Sequence, residues 1–113
     1  MVDISKCLTS NEKAALEEIK RRVSAQFDVR HYILFGSKVR GDAQPDSDID
    51  LLIITGRKLE HRERHIISDI LTDVNLDFDT LYSFITVEEQ EWKSKLYSFY
   101  PLHKNVTREG IAV

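Results

Sequence analysis

The stretch Asp48-Ile49-Asp50-Leu51-Leu52-Ile53-Ile54 constrains the fold more than any other part of the chain. No apolar run exceeds four residues, as in Leu51 to Ile54. That is far short of the roughly 20 residues that span a bilayer. Rich in branched aliphatics and closed by Thr55-Gly56, the segment reads as a core strand. In an extended chain, side chains alternate in direction. Asp48, Asp50, Leu52 and Ile54 therefore take one face, and Ile49, Leu51 and Ile53 the other. A core strand does not ordinarily carry two like charges on one face, because burying unpaired carboxylates is costly. Asp48 and Asp50 are therefore the residues whose placement needs a chemical reason.

The rest of the chain supplies partners for that strand. Leu16, Ile19, Val23 and Phe27 recur at helical spacing between charged residues, with Thr9 or Ser10 as the N-cap. His31 to Phe35 reads as a short strand ended by Gly36-Ser37. Lys38 to Ser47 is polar and holds Gly41 and Pro45, so it is a loop or a short helical turn. A second helical pattern carries Leu59, Ile66, Ile67, Ile70, Leu71 and Val74. Leu76 to Ile85 reads as a third strand, with Asp77 and Asp79 on one face. Thr86-Val87-Glu88-Glu89 matches a capping box for a third helix carrying Trp92 and Leu96. Pro101 to Val113 shows no period and offers an edge strand.

The order α-β-β-α-β-α predicts an α+β domain, a mixed sheet packed by helices. The 113 residues suffice for one such domain spanning 1–113 and its own core. Sixteen Lys and Arg against nineteen Asp and Glu give a net charge of −3, so no broad basic field exists for direct nucleic-acid binding. The single cysteine, Cys7, excludes an intramolecular disulfide framework and multi-cysteine zinc modules. No signal peptide or membrane span is visible, which predicts a cytoplasmic protein without a membrane partner.

Two acids at i and i+2 on one strand face have Cα atoms roughly 6–7 Å apart, close enough for both side chains to reach a common cation. Hard divalent cations such as Mg²⁺ take oxygen ligands of this kind. If the third strand lies beside the first acidic one, Asp79 or Asp77 adds a third carboxylate. Three carboxylates with phosphate oxygens form the ligand set of a two-metal phosphoryl or nucleotidyl transfer site. Gly36 permits close backbone approach, and the Ser37 hydroxyl and N–H can bind phosphate. Lys38 and Arg40 add positive charge nearby.

The run Gly36-Ser37-Lys38-Val39-Arg40-Gly41, five further residues, then Ser47-Asp48-Ile49-Asp50-Leu51 resembles the signature of the DNA polymerase β-like nucleotidyltransferase superfamily. The small size resembles its minimal nucleotidyltransferases, the MNT proteins of HEPN/MNT toxin–antitoxin pairs. Val39 departs from the Ala common in that family. Arg108-Glu109-Gly110-Ile111 is similar to the ending of many small members. The resemblance implies a polymerase β-like fold and two Mg²⁺ held by Asp48, Asp50 and Asp79, with Asp77 as the alternative. It implies ATP or another NTP held by Gly36, Ser37, Lys38, Arg40 and Ser47. It also implies AMP transfer to a hydroxyl of a HEPN-type partner or second subunit, with an antitoxin role. Two other functions stand beside it: a catalytically silent antitoxin acting by contact, and one half of an aminoglycoside-type small-molecule nucleotidyltransferase.

Other features have plainer readings. His61 and His65 sit at i and i+4, but Arg62 stands where the metalloprotease motif needs Glu, so they read as a solvated helix face. Trp92 and Tyr97 read as packing residues. Asn105-Val106-Thr107 matches a glycosylation acceptor by chance.

Overall fold

The computed structural model describes residues 6–41 and 47–113, so Asp42 to Asp46 of the loop after Gly41 lie outside the described residues. The chain opens with helix α1 (Ser10–Gln26). Thr9 caps it through a capping box: its hydroxyl accepts from the Glu12 N–H at 3.2 Å, and the Glu12 carboxylate accepts from the Thr9 N–H at 2.8 Å. Strand β1 (Val29–Phe35), the short helix α2 (Ser37–Arg40) and strand β2 (Ile49–Thr55) follow. Helix α3 (His61–Phe78) leads to strand β3 (Tyr82–Glu88). The chain then forms the short helix α4 (Glu89–Trp92), a 3₁₀ turn at Tyr97–Phe99, helix α5 (Pro101–Glu109) and the two-residue strand β4 (Ile111–Ala112).

The four strands form one mixed sheet in the order β3-β2-β1-β4. β1 pairs antiparallel with both β2 and β4, whereas β2 and β3 run parallel. A parallel pair needs a crossover connection, which α3 provides. The alternation along β2 divides the core. Ile49, Leu51 and Ile53 pack with Ala15, Leu16, Ile19 and Val23 of α1 and Ile67, Ile70, Leu71 and Val74 of α3. Leu52 and Ile54 point to the other face and pack with Val87 and Val106, flanked by Trp92, Tyr97 and Leu102. Each such fully buried aliphatic contributes roughly 1.5–3 kcal/mol, so burial on both faces fixes β2 as the centre of the domain. No helix among the described residues is long and apolar enough to cross a membrane.

Three expectations change. The strand expected over Leu76 to Ile85 begins only at Tyr82. The α3 stripe continues from Val74 to Phe78, which packs against the main core, and this carries the helix through the first residues of the expected strand. Asn75 fixes the switch: its side-chain oxygen accepts from the Thr80 hydroxyl and the Tyr82 N–H, and its amide donates to the Tyr82 carbonyl. The third helix does not start at Thr86, which remains in β3. Glu88 caps a helix of four residues, and Leu96 lies beyond it, 72% exposed. The segment after Pro101 does supply an edge strand, but first it forms α5, with proline in the first turn, where its missing N–H costs nothing.

Candidate functional site

The antiparallel register sets Phe35 opposite Asp50, so the turn that leaves β1 lies level with the Asp50 carboxylate. Gly36 occupies that turn with φ 92° and ψ −163°, a region accessible essentially to glycine alone. A Cβ on Gly36 would lie 2.2 Å from Asp50 Oδ2 and 3.1 Å from its Cγ. The Gly36 carbonyl accepts the Val39 and Arg40 N–H groups, each at 3.1 Å, and opens α2 with Ser37 as its first residue. Gly41 ends α2 in the left-handed region, φ 86°, and its N–H donates to the Ser37 carbonyl at 3.0 Å. Both glycines of the Gly-Ser-Lys-Val-Arg-Gly run are thus required by the backbone, and the tight turn brings Ser37 beside an acid.

Asp50 is half-buried, and its Oδ1 accepts from the Ser83 hydroxyl at 3.0 Å. Asp48 is exposed immediately ahead of β2. Between them Ile49 is buried in the main core, and its N–H donates to the Leu81 carbonyl at 2.9 Å. Asp50, next along the strand, therefore points to the opposite face of the sheet. Ser47 is half-buried at the near end of the incompletely described loop.

Asp77 and Asp79 do not join these acids on a strand. Asp77 lies exposed in the last turn of α3, and Asp79 is exposed at the helix C-cap with φ 55°, a left-handed conformation that Asp tolerates. The parallel register places Ser83 opposite Asp50, so the position for a neighbouring carboxylate on β3 holds a hydroxyl. Among the described residues no group of three or more His, Cys, Asp and Glu is arranged to hold a metal ion. Asp48 and Asp50 nonetheless fit Mg²⁺, which typically binds one or two carboxylates and completes its shell with waters and substrate phosphates.

The two cations of the motif have separate surroundings. Lys38 forms an ion pair with Glu12 at 3.1 Å, both side chains largely buried. Glu12 belongs to the first turn of α1, so this pair ties α2 to α1. Arg40 is more exposed, and its Nη1 donates to Glu109 Oε1 at 3.1 Å and Oε2 at 3.3 Å. The same Oε1 accepts the Gly36 N–H at 3.3 Å. Tyr82, beside Ser83, donates to the Glu12 carbonyl at 2.6 Å. Burial first, then the charges of Glu12 and Glu17, push its pKa well above the ordinary tyrosine range, so the hydroxyl keeps its proton.

Sequence reasoning missed Ser83 and Glu109. Ser83 lies within the strand expected over Leu76 to Ile85, but a lone hydroxyl on a strand carries no signal of its own. Glu109 lay in a terminal run noticed only as a likeness. A cavity of about 160 Å³ lined by Thr55, Lys58, Leu59, Arg64 and Glu88 holds none of the predicted residues; it lies at the other end of β2. His61 and His65 stack edge-on at 4.7 Å on the exposed side of α3.

Comparison with known proteins bears on this geometry. Residues 16–110 match the family model described as "Nucleotidyltransferase domain". A Methanocaldococcus jannaschii protein named "Putative protein adenylyltransferase MJ0604" is 30% identical over 103 residues, which cover 88% of this chain and 95% of that protein. A crystal structure of a toxin–antitoxin with AMP-PNP superposes with a TM-score of 0.62 at 15% identity, covering 92% of this chain and 72% of that one. Spectinomycin adenyltransferase AAD(9) from Enterococcus faecialis, crystallised with ATP and spectinomycin, gives 0.58 at 19% identity. That match covers 76% of this chain but 36% of that one. At these identities the structural likeness is one of fold.

Proposed function

The chain belongs to the nucleotidyltransferase domain family, and from that premise we propose that residues 1–113 act as one domain moving AMP from ATP onto a hydroxyl of a partner protein. The observation that carries this is the Asp50 carboxylate seated against Gly36 beside Ser37. One turn thereby presents phosphate donors next to a cation ligand. Mg²⁺ bound by Asp48 and Asp50 supplies charge neutralisation for the phosphate chain and Lewis acidity at the reacting phosphorus. Ser37 and the backbone N–H groups of its turn grip the phosphates, Ser83 fixes the Asp50 carboxylate, and Arg40 adds a positive charge at the rim. The acceptor oxygen forms a bond to the α-phosphorus while the bond to pyrophosphate breaks. The acceptor proton passes to a carboxylate oxygen of the exposed Asp48.

A domain this small leaves little wall around the carboxylates, which favours an acceptor that brings its own binding surface. We take that acceptor to be a tyrosine of a HEPN-type toxin, neutralised by AMP addition. The protein adenylyltransferase name of the archaeal relative and the toxin–antitoxin fold likeness support this. Ser83 at the position for a third carboxylate favours a second reading, an antitoxin that neutralises by contact alone.

Labelled ATP, Mg²⁺ and the product of the adjacent gene test the choice. Label transfer to the partner, lost in Asp48→Asn/Asp50→Asn while the complex persists, supports catalysis. Neutralisation retained by that variant supports contact. Absence of Mg²⁺-dependent ATP binding in the wild-type chain would overturn the nucleotidyl-transfer reading itself.

A further inference from the structure

We propose that Glu109 is a positioning residue of the nucleotide site: from the far end of the chain it holds the Gly36–Ser37 turn and Arg40 in the geometry that grips the phosphates. The inference rests on the nucleotidyl-transfer reading. The Glu109 side chain is 9% exposed, and a buried carboxylate persists only where donors compensate it. Its partners are the Gly36 N–H, 73 residues away in sequence, and the Arg40 guanidinium, 69 away. Gly36 is therefore held from two directions. Glu109 takes its N–H, and the Asp50 carboxylate lies against its Cα. Arg40 is engaged by both Glu109 oxygens beside the turn.

The position of Glu109 is itself enforced. Gly110 follows it, and a Cβ there would lie 2.6 Å from the Val106 carbonyl and 2.8 Å from Ile33 Cγ2. The end of α5 is thus pressed onto β1. Ile111 then pairs with Leu34, immediately before the strand runs into Gly36. The run Arg108-Glu109-Gly110-Ile111 accordingly has a physical role: Gly110 sets the approach, Ile111 sets the register, and Glu109 reaches the turn. The carboxylate itself does not face the reacting atoms. It acts through the backbone N–H and the guanidinium that it orients.

Two-dimensional amide NMR on the full chain tests this, with titrations of Mg²⁺-ATP and of adenosine, which lacks phosphates. Losing a hydrogen bond to a charged group is expected to weaken ATP binding roughly tenfold in Glu109→Ala and about threefold in Glu109→Gln, with adenosine affinity held within about twofold. Glu109→Gln keeps an acceptor for the Gly36 N–H and preserves size, so it decides the matter if the alanine variant fails to fold. The Gly36 amide resonance should move in both variants before any ligand is added. Unchanged ATP affinity, or equal losses for ATP and adenosine, would overturn the proposal and leave Glu109 a structural staple. A wild-type chain that binds no ATP would instead sink the nucleotidyl-transfer reading, and this inference with it.

Discussion

Replacing Gly36 by alanine tests the site at its tightest point. Two costs arise. At φ 92° and ψ −163° a Cβ is strained whatever surrounds it, roughly 1–3 kcal/mol. The new methyl would also stand 2.2 Å from Asp50 Oδ2, so the carboxylate must swing away and give up the Ser83 hydroxyl. A hydrogen bond to a charged group is worth about 1.5–3 kcal/mol, so the summed destabilisation is roughly 2.5–6 kcal/mol. For a domain of this size that lowers the melting midpoint by roughly 10 °C or more. Urea unfolding gives the free energy directly, and a second background separates the costs. In Asp50→Ala no carboxylate opposes the methyl, so Gly36→Ala should cost only the backbone share, about 1–3 kcal/mol. Equal costs in the two backgrounds would refute the contact with Asp50. A cost below about 0.5 kcal/mol in the wild type, the level of ordinary surface changes, would refute the turn geometry as well.

Lys38→Gln breaks a largely buried pair with Glu12. It should lower unfolding stability by about 1–3 kcal/mol, less than a fully buried pair would lose, yet leave ATP affinity unchanged; a selective loss of ATP binding by titration calorimetry would return Lys38 to the nucleotide site. Glu18, paired with Arg21 and Arg22, and Glu63, paired with Arg57 and the Glu60 N–H, are both lowered from 4.5 to about 2. A depressed carboxyl adds stability that is complete above its unfolded value and lost as pH falls through the folded one. Glu18→Gln/Glu63→Gln should therefore flatten the acid side of the stability curve between pH 4.5 and 2, measured by urea unfolding. Ser83→Asp places a third carboxylate beside Asp50. Melting without metal should fall through like-charge repulsion, and the gain on adding Mg²⁺ should exceed that of the wild type.

The legible parts of the fold are those where one physical signal stands alone. The α1 stripe from Leu16 to Phe27 has a helical period, and of the two N-cap candidates, Thr9 and Ser10, it is Thr9 that caps it. The two faces of β2 follow from simple alternation, which places Leu51 and Leu52 in different clusters of the core. The illegible parts are those where two signals coincide. Leu76-Asp77-Phe78-Asp79 alternates like a strand, yet Phe78 also lies four residues beyond Val74 on the helical stripe. Packing against the core favours the helix, and the Asn75 side chain, whose role no local pattern reveals, sets the boundary. In α5 only Leu102 and Val106 form an apolar pair at helical spacing, and nine residues are too short a run for that pair to stand out from a loop.

The same division runs through the residues gathered around the Gly36 turn. Gly36, Ser37, Asp48 and Asp50 lie at the adjoining ends of two antiparallel strands, where the Phe35–Asp50 register makes sequence spacing equivalent to spatial proximity. Ser83 and Glu109 reach the same place through a parallel crossover and a terminal strand, and no spacing along the chain encodes either arrival. Their contacts act on different halves of the site. Ser83 donates to Asp50, the acid proposed to take the cation, and Glu109 accepts the Gly36 N–H of the turn proposed to take the phosphates. Gly36 touches both halves, through its Cα on one side and its N–H on the other, so on the proposed reading metal and phosphate binding would be coupled at one residue. A change that shifts this turn, at Gly36 itself or through Glu109, should therefore weaken Mg²⁺ and ATP binding together, whereas Ser83→Ala, which touches only the Asp50 side, should weaken Mg²⁺ binding first.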